Sequence, residues 1–484
     1  MSAKAEGKKS HYVVHFIIML AFMFLFRFIP APDPITPYGM QVIGIFIGML
    51  YGWTATNDLI APSILAFAAM ATTAFGGGNE VLAGVFSNSS VMMILFGSLL
   101  IGPISSSGVG EYFMLRFLSA KFVTGKPWRL TAFLLVGLYL VDVITSNPMI
   151  VVLLVLAIFP GTLSEIGYTD KDKYPNMLIM GIVIGALMSC IIFPFMSIGL
   201  LPTGALKAAT GLSINSGGWI ITLFVFSIIY LLGFTLLMKL MGCDASKMKA
   251  FSIETFHEKF PNGMSKYQKA VTFSVVLMLV GSIVISFAGF FGTIGGYISR
   301  FSVAGWLMLI PACMMLIRVD SKPLLTFDSV KQTFPWELFL CMGAAMFIAS
   351  CLTSEGTGVS QLCAQLLGSL YGGIGELAFI ALAMVLCLVL TNFLNNIAIT
   401  MTFIAMLNAL YLQGILEHIQ AAVMVISLAG MMGFLTPAGS VQGAMAHSFA
   451  LSSPGVYYKT GVVAVIYSCI IFVVVLLPMA MVMM

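Results

Sequence analysis

Charge is what this chain has least of. Only 8% of its 484 residues are Asp, Glu, Lys or Arg, whereas 60% are hydrophobic and the mean hydropathy is +1.06. A soluble domain carries about 25% charged residues, so most of this chain must face lipid or lie between helices that do. The 8 cysteines are scattered without a C-x-x-C pair, which argues against a disulfide framework or a zinc site. Neither H-E-x-x-H nor G-x-S-x-G occurs, and of the 5 histidines only His447 lies near a candidate site, so a membrane-embedded enzyme is not expected. No basic cluster with interleaved aromatics suggests nucleic acid. The apolar run from Tyr12 to Phe26 follows "MSAKAEGKKSH" but has no small-x-small cleavage site, so it reads as a first transmembrane helix and not a signal peptide.

What the chain does have is long apolar runs, and a spanning helix needs about 20 such residues. Candidate spans lie at 12–29, 40–54, 59–76, 90–107, 175–200, 218–241, 270–292, 301–318, 336–352, 420–446 and 460–483. Two further segments, 129–160 and 373–413, are too long for one crossing and are interrupted in the middle. If each enters and leaves by the same face, eleven spans put the N-terminus inside and the C-terminus outside a cytoplasmic membrane. Of the 22 Lys and Arg, all but Arg27, Lys207 and Arg300 then face the cytoplasm, as the positive-inside rule requires. The charged stretch 242–268 reads as a cytoplasmic linker between halves. "SNSS" (87–90) and "TATND" (54–58) read as a helix cap and a short turn.

The first interrupted segment contains "YLVDVITSNPMIVV" (139–152), a polar knot at hydrocarbon depth. As one straight helix, 129–160 would run about 48 Å against a hydrocarbon core of about 30 Å. Pro148 also disfavours helix at Asn147 and has no amide to donate. Two half-helices meeting at "TSNP" resolve both problems. Irregular backbone at that depth is tolerated only where protein buries it or a polar cavity receives it. The second half repeats the plan. "TSNPMIVVLLVLAI" (145–158) aligns with "LNNIAITMTFIAML" (394–407), and "IGLLPTGALKAATG" (198–211) with "GFLTPAGSVQGAMA" (433–446). The first hairpin is entered from inside and the second from outside, which makes an inverted repeat with its site at the midplane. Half-helix N-termini suit an anion, and unwound carbonyls with Ser, Thr and Asn oxygens suit Na⁺.

These modules, with "MMILFGSLLIGPISSSGVGEYFMLRFL" (92–118) and "FPWELFLCMGAAMFIASCLTSEGTG" (334–358), resemble the divalent anion–sodium symporter family of di- and tricarboxylate transporters, within the ion transporter superfamily. The resemblance covers nearly the whole chain. It implies an all-α polytopic membrane protein with about eleven transmembrane helices and two re-entrant hairpins. It further implies a scaffold that dimerises and a transport domain that moves elevator-fashion. On that plan 1–128 and 270–372 are scaffold, 129–217 and 373–484 form the transport domain, and 218–269 is a span plus linker.

In that family each hairpin tip carries a Ser-Asn-Thr triplet. Here Ser146 and Asn147 match, with Pro148 in the Thr place, while Asn395, Asn396 and Ile397 occupy the second tip. The implied Na⁺ sites are Thr145, Ser146, Asn147 and Gly199, then Thr391, Asn395, Asn396 and Gly433. The implied substrate site is Asn147, Pro148, Asn396, Ile397, Thr203, Gly204, Thr436 and Pro437, and Ser440 offers a further oxygen. Asp142, one turn before Ser146, either carries a coupling proton or is structural. Lys207 either attracts an anion or snorkels. The expected function is Na⁺-coupled transport of a small organic anion, a di- or other carboxylate. The alternative is a proton-coupled carrier or an exchanger of the same fold, or one for an inorganic oxyanion.

Overall fold

The computed structural model describes residues 13–56, 58–118, 126–145, 148–250, 263–286 and 288–484. In the first half the helices are α1 (Val13–Phe28), α2 (Pro37–Thr56), α3 (Ile60–Met70), α4 (Gly78–Phe86), α5 (Ser89–Gly97), α6 (Ile101–Ser107) and α7 (Val109–Leu118). They continue as α8 (Pro127–Thr145), α9 (Pro148–Glu165), α10 (Lys173–Ser189), α11 (Leu200–Thr210) and α12 (Ser216–Leu240). The second half holds α13 (Lys266–Ser286), α14 (Gly292–Leu316), α15 (Phe327–Thr333), α16 (Trp336–Leu352) and α17 (Val359–Ile374). The last five are α18 (Glu376–Leu390), α19 (Asn396–Leu412), α20 (Ile419–Met431), α21 (Val441–His447) and α22 (Pro454–Met483). Between α14 and α15 the strands Arg318–Val319 and Lys322–Pro323 form a hairpin whose turn residues, Asp320 (φ 51°) and Ser321 (φ 66°), take the left-handed conformation that matches strand twist.

Among the described residues 4 helices have full spanning length and an apolar window: α8, α12, Lys266–Ile285 and α22. Two bent pairs pass the same test, Gly78–Phe86 with Val91–Ile104 (59°) and Gly292–Ile298 with Arg300–Leu316 (50°). The apolar helices α1, α3, α10, α16, α18, α19 and α20 are shorter, at 10–17 residues. The expected run 175–200 thus helicises only to Ser189, and the expected span 301–318 starts earlier, at Gly292, with a kink at Ser302. Apolar continuity hides such breaks, because hydropathy does not report backbone conformation.

Two groups of helices emerge from the packing. In one, α8, α10 and α12 pack together, α10 and α12 reach α22, and α20 joins α18 to α22. The other builds α2, α3 and α4 around α16, with α5 against α14 and α14 against α13. Helix α11 lies between the groups, touching α16 and α5 on one side and α19 and α20 on the other. Both α10 and α20 are buried almost end to end, as expected of helices apolar on every face.

Polar staples fix the helix ends. Asn176 Nδ2 donates to the Asp170 and Asp172 carbonyls (3.0 and 2.9 Å), and its Oδ1 accepts the Ser453 amide (3.0 Å), tying the start of α10 to that of α22. Glu376 accepts the Glu417 and His418 amides (2.9 and 2.8 Å) and pairs with His418 Nδ1 (2.9 Å), joining the starts of α18 and α20. Arg27 donates to Thr72 (2.7 and 3.0 Å), and Asp58 accepts the amides of Ile60 and Ala61 (2.8 and 3.2 Å) as a cap for α3. Inside the first group Tyr467 donates to the Tyr230 carbonyl (2.8 Å), and the Tyr230 hydroxyl meets Ser468 Oγ (2.7 Å).

Without a hydrophobic force between helices in lipid, close approach of small residues carries the packing. At Gly281 on α13 an added Cβ would lie 2.2 Å from the Trp306 indole of α14, which donates to the Met278 carbonyl (3.1 Å). Gly281→Leu should therefore cost about 1–3 kcal/mol by overpacking, read as a lower thermal midpoint in detergent. Gly296→Leu, at a position open within 4 Å, should leave that midpoint nearly unchanged.

Candidate functional site

Each half contains a helix that stops, unwinds and resumes. The second break, 432–440, sits against the gap between α18 and α19. Asn392 holds the two together: its carbonyl accepts Thr436 Oγ1, its Oδ1 accepts the Leu435 amide (2.9 Å), and its Nδ2 donates to Leu388 (2.8 Å). Thr391 Oγ1 donates to Gly430 (2.6 Å), and the Asn396 amide donates to Gly439 (3.2 Å). Asn395 caps α19 by accepting the amides of Ile397 and Ala398 (3.0 and 3.2 Å). Ser440 caps α21, accepting the Gly443 amide (2.9 Å) and donating back to Gly433 (2.6 Å).

Glycine is required here for approach. A Cβ on Gly439 would lie 2.6 Å from the Thr391 carbonyl oxygen, and one on Gly433 would lie 3.0 Å from the same atom. That oxygen therefore points between two bare backbones. Thr391, Asn395, Asn396, Gly433 and Thr436, expected to act together, do lie together. Pro437 is exposed at the bend and Ile397 is buried at the tip. The donor set, carbonyl and amide oxygens without a thiol or imidazole, fits a hard cation.

The first break, 190–199, is built the same way. Thr203 Oγ1 donates across it to Pro194 (2.8 Å) and Gly199 (3.1 Å), and a Cβ on Gly199 would stand 2.2 Å from the Phe193 carbonyl oxygen. The position of "LPTG" differs from expectation. Thr203 and Gly204 stand inside α11 and not in the unwound stretch, because Pro202 falls in the first helical turn, where proline needs no amide partner. The proline in the break is Pro194. In the second half "TPAG" does lie in the break.

Of the first tip, Ser146 and Asn147 lie outside the described residues. Thr145 is buried and bonds back to its own helix at Val141 (2.8 Å), and Pro148 opens α9. Asp142 is 1% exposed, with neither carboxyl oxygen partnered among the described residues. Helix α11, which follows the first break, does reach the second hairpin, since Asn408 of α19 donates to its Ala205 carbonyl (3.5 Å).

Two further residues escaped the sequence reading. Trp219 Nε1 donates to Ile191 (2.8 Å) and the Tyr457 hydroxyl to Phe434 (2.8 Å). Each is the fourth residue of the second helix after a break, α12 and α22, and each pairs a carbonyl of that break. Neither leaves a local pattern. Asn392 could have been found, since it lies in "TNFLNN" beside residues already singled out. His447, set aside on sequence, places Nε2 3.0 Å from the Leu435 carbonyl.

This architecture, apolar helices with paired and satisfied interruptions, is that of an all-α polytopic membrane protein. Residues 10–484 match the family described as the sodium:sulfate symporter transmembrane region, and the chain belongs to that family of sodium-coupled anion symporters. A search of curated proteins gave no match.

Loss of a break's cross-tie leaves a buried carbonyl unpaired, at about 1–3 kcal/mol. Tyr457→Phe should lower the thermal midpoint and slow uptake, and Gly439→Ala should abolish uptake in protein that still folds. Both are checked by proteoliposome flux alongside thermal unfolding.

Proposed function

We propose that this chain moves a small carboxylate-bearing organic anion across the cytoplasmic membrane together with Na⁺, through a site shared by the two hairpin tips and the two breaks. The observation that carries this reading is the wiring of 391–396 onto 433–440, where Asn395 and Asn396 are held beside unwound carbonyls. Carbonyl oxygens offer Na⁺ the ligands a hard cation takes, and amide side chains can bind carboxylate oxygens. Ile397 supports an organic substrate over a bare oxyanion. It puts a buried apolar side chain at the tip, where a carbon skeleton gains contact and a fully polar ion gains nothing.

In this reading α8–α9 and α18–α19 are the re-entrant hairpins within a plan of eleven spans, with the N-terminus inside and the C-terminus outside. The group built on α8, α10, α18, α20 and α22 rides against the scaffold of a homodimer, and α11 and α19 form the sliding surface. Asp142 favours a second reading, in which a proton joins or replaces Na⁺. A carboxyl at membrane depth, unpartnered among the described residues, is costly, and such groups commonly mark ion or proton pathways.

The test is uptake of labelled succinate, citrate, sulfate and phosphate into proteoliposomes, with Na⁺ or choline outside and with or without a pH gradient. Carboxylate uptake that needs Na⁺ is expected; undiminished uptake in choline overturns sodium coupling, and uptake of sulfate alone overturns the organic substrate. Asn396→Ala should abolish uptake while expression and oligomeric state are kept. Asp142→Asn should leave Na⁺-driven uptake intact and remove any component driven by the pH gradient.

A further inference from the structure

A cavity of about 360 Å³ opens between the two helix groups, away from the second tip. One wall is the first break and α11, with the loop that leads into α12; the other is the start of α5 and the kink of α14. Its polar lining is Ser89, Thr203, Lys207, Ser213, Ser216 and Ser302, and the rest of the lining is apolar. Among the described residues no carboxylate lines it. The Lys207 ammonium has no hydrogen-bond or ion-pair partner among the described residues.

Three features make this more than a lysine reaching for water. First, the cation shares its cavity with the hydroxyls of Ser89, Ser213, Ser216 and Ser302 and with no acid among the described residues, a donor set that suits an anion; the Thr203 hydroxyl is already given to the Pro194 and Gly199 carbonyls. Second, α5 and α12 both begin at the cavity, at Ser89 and Ser216, so their amide ends add positive potential to the same space. Third, Ser302 lines the cavity at φ 61° and ψ 164°, a conformation otherwise almost confined to glycine. Such strain persists where the surroundings over-determine it, as at ligand clamps. A bland alternative exists, since a lysine in the last turn of α11 also complements that helix's C-terminus. That role needs neither the cavity nor its hydroxyls.

We propose that this cavity is a second anion site, a capture vestibule in which Lys207 and the surrounding hydroxyls hold one oxyanionic group, a carboxylate or a tetrahedral oxyanion, before it reaches the tips. The assignment rests on the reading of this chain as an anion transporter. Because its walls belong to different helix groups, the vestibule exists only in arrangements that keep α11 beside α5 and α14. An anion held there would favour that arrangement.

The experiment isolates the vestibule from the tips. Equilibrium binding of labelled succinate and of labelled sulfate is measured on detergent-solubilised Asn396→Ala protein, with Lys207→Gln or Lys207→Arg added, and uptake kinetics are measured on the single Lys207 variants. A charge-assisted hydrogen bond in a partly solvated site corresponds to about a tenfold change in affinity. Residual binding in Asn396→Ala should therefore weaken about tenfold on adding Lys207→Gln and be kept with Lys207→Arg. Whichever anion shows this effect names the source. In the single variant Lys207→Gln, KM should rise about tenfold, with kcat held within about twofold, and the slowing of sub-saturating uptake by added salt should diminish. Equal binding with and without Lys207→Gln, or an unchanged KM, overturns the vestibule and leaves the transport reading standing. Full uptake by Asn396→Ala instead overturns the tip site, whatever Lys207 does.

Discussion

A peptide group at membrane depth has no water to turn to, so each amide and carbonyl there must be paired within the protein or aimed at something the protein binds. That constraint shapes both interruptions. At 432–440 the pairing comes from Asn392, Ser440, Tyr457 and the tip of the second hairpin; at 190–199 it comes from Thr203 and Trp219. The cross-ties have a mechanical consequence. Because Trp219 and Tyr457 reach back from the helix after next, each break is bonded to α12 or α22 as well as to its own flanks. An unwound segment held on three sides is a rigid cradle and not a hinge. In the proposed transport reading, movement then falls elsewhere, along surfaces where helices meet through apolar contact alone.

The distribution of burial indicates where those surfaces lie. Helices α10 and α20 are sheathed by protein on all sides, and α12 and α22 are stacked through Tyr230, Tyr467, Phe226 and Phe472. Those contacts bind one group into a unit. Helix α11 is different. It packs on α16 and α5 of the other group and also on α19, and among the described residues its only polar link to α19 is the long Asn408–Ala205 bond. No hydrogen bond among the described residues ties α11 to α16 or α5, so in the proposed transport reading a slide along that contact breaks none at depth.

The sequence exposed the chemistry of the site better than its register. Composition and run length identified a helical membrane protein, because 8% charge over 484 residues admits little else. The polar tips stood out for the same reason: "LNN" inside an apolar run has few structural uses, and Asn395 proved to be a helix cap lodged against the second break. Proline was read less well. Pro437 and Pro202 look alike in "TPAG" and "LPTG", yet one sits in unwound backbone and the other in a first helical turn, where its missing amide costs nothing. Helix starts and helix breaks both tolerate proline, so the residue alone cannot tell them apart. Trp219 and Tyr457 were illegible for another reason, since a bond from the start of one helix to a carbonyl of an earlier break has no fixed spacing.

The two tips also reveal a convergence that neither shows alone. Relatives in this family are expected to offer a hydroxyl at the third tip position. In the first tip Pro148 stands there as the opening residue of α9 and has neither hydroxyl nor amide hydrogen. In the second, Ile397 has no hydroxyl, and its amide is already claimed by Asn395 and Asn396 Oδ1 (3.0 and 2.9 Å). One position lacks its donor by covalent structure and the other by internal hydrogen bonding. Both third positions are therefore silent toward an anion, and the helix starts remain intact. In the proposed reading, recognition at the tips then falls to the asparagine side chains and to apolar contact. A site so short of donors binds an anion weakly unless charge is supplied nearby. Of Arg27, Lys207 and Arg300, Arg27 is committed to Thr72, and only Lys207 opens onto the cavity beside the first break.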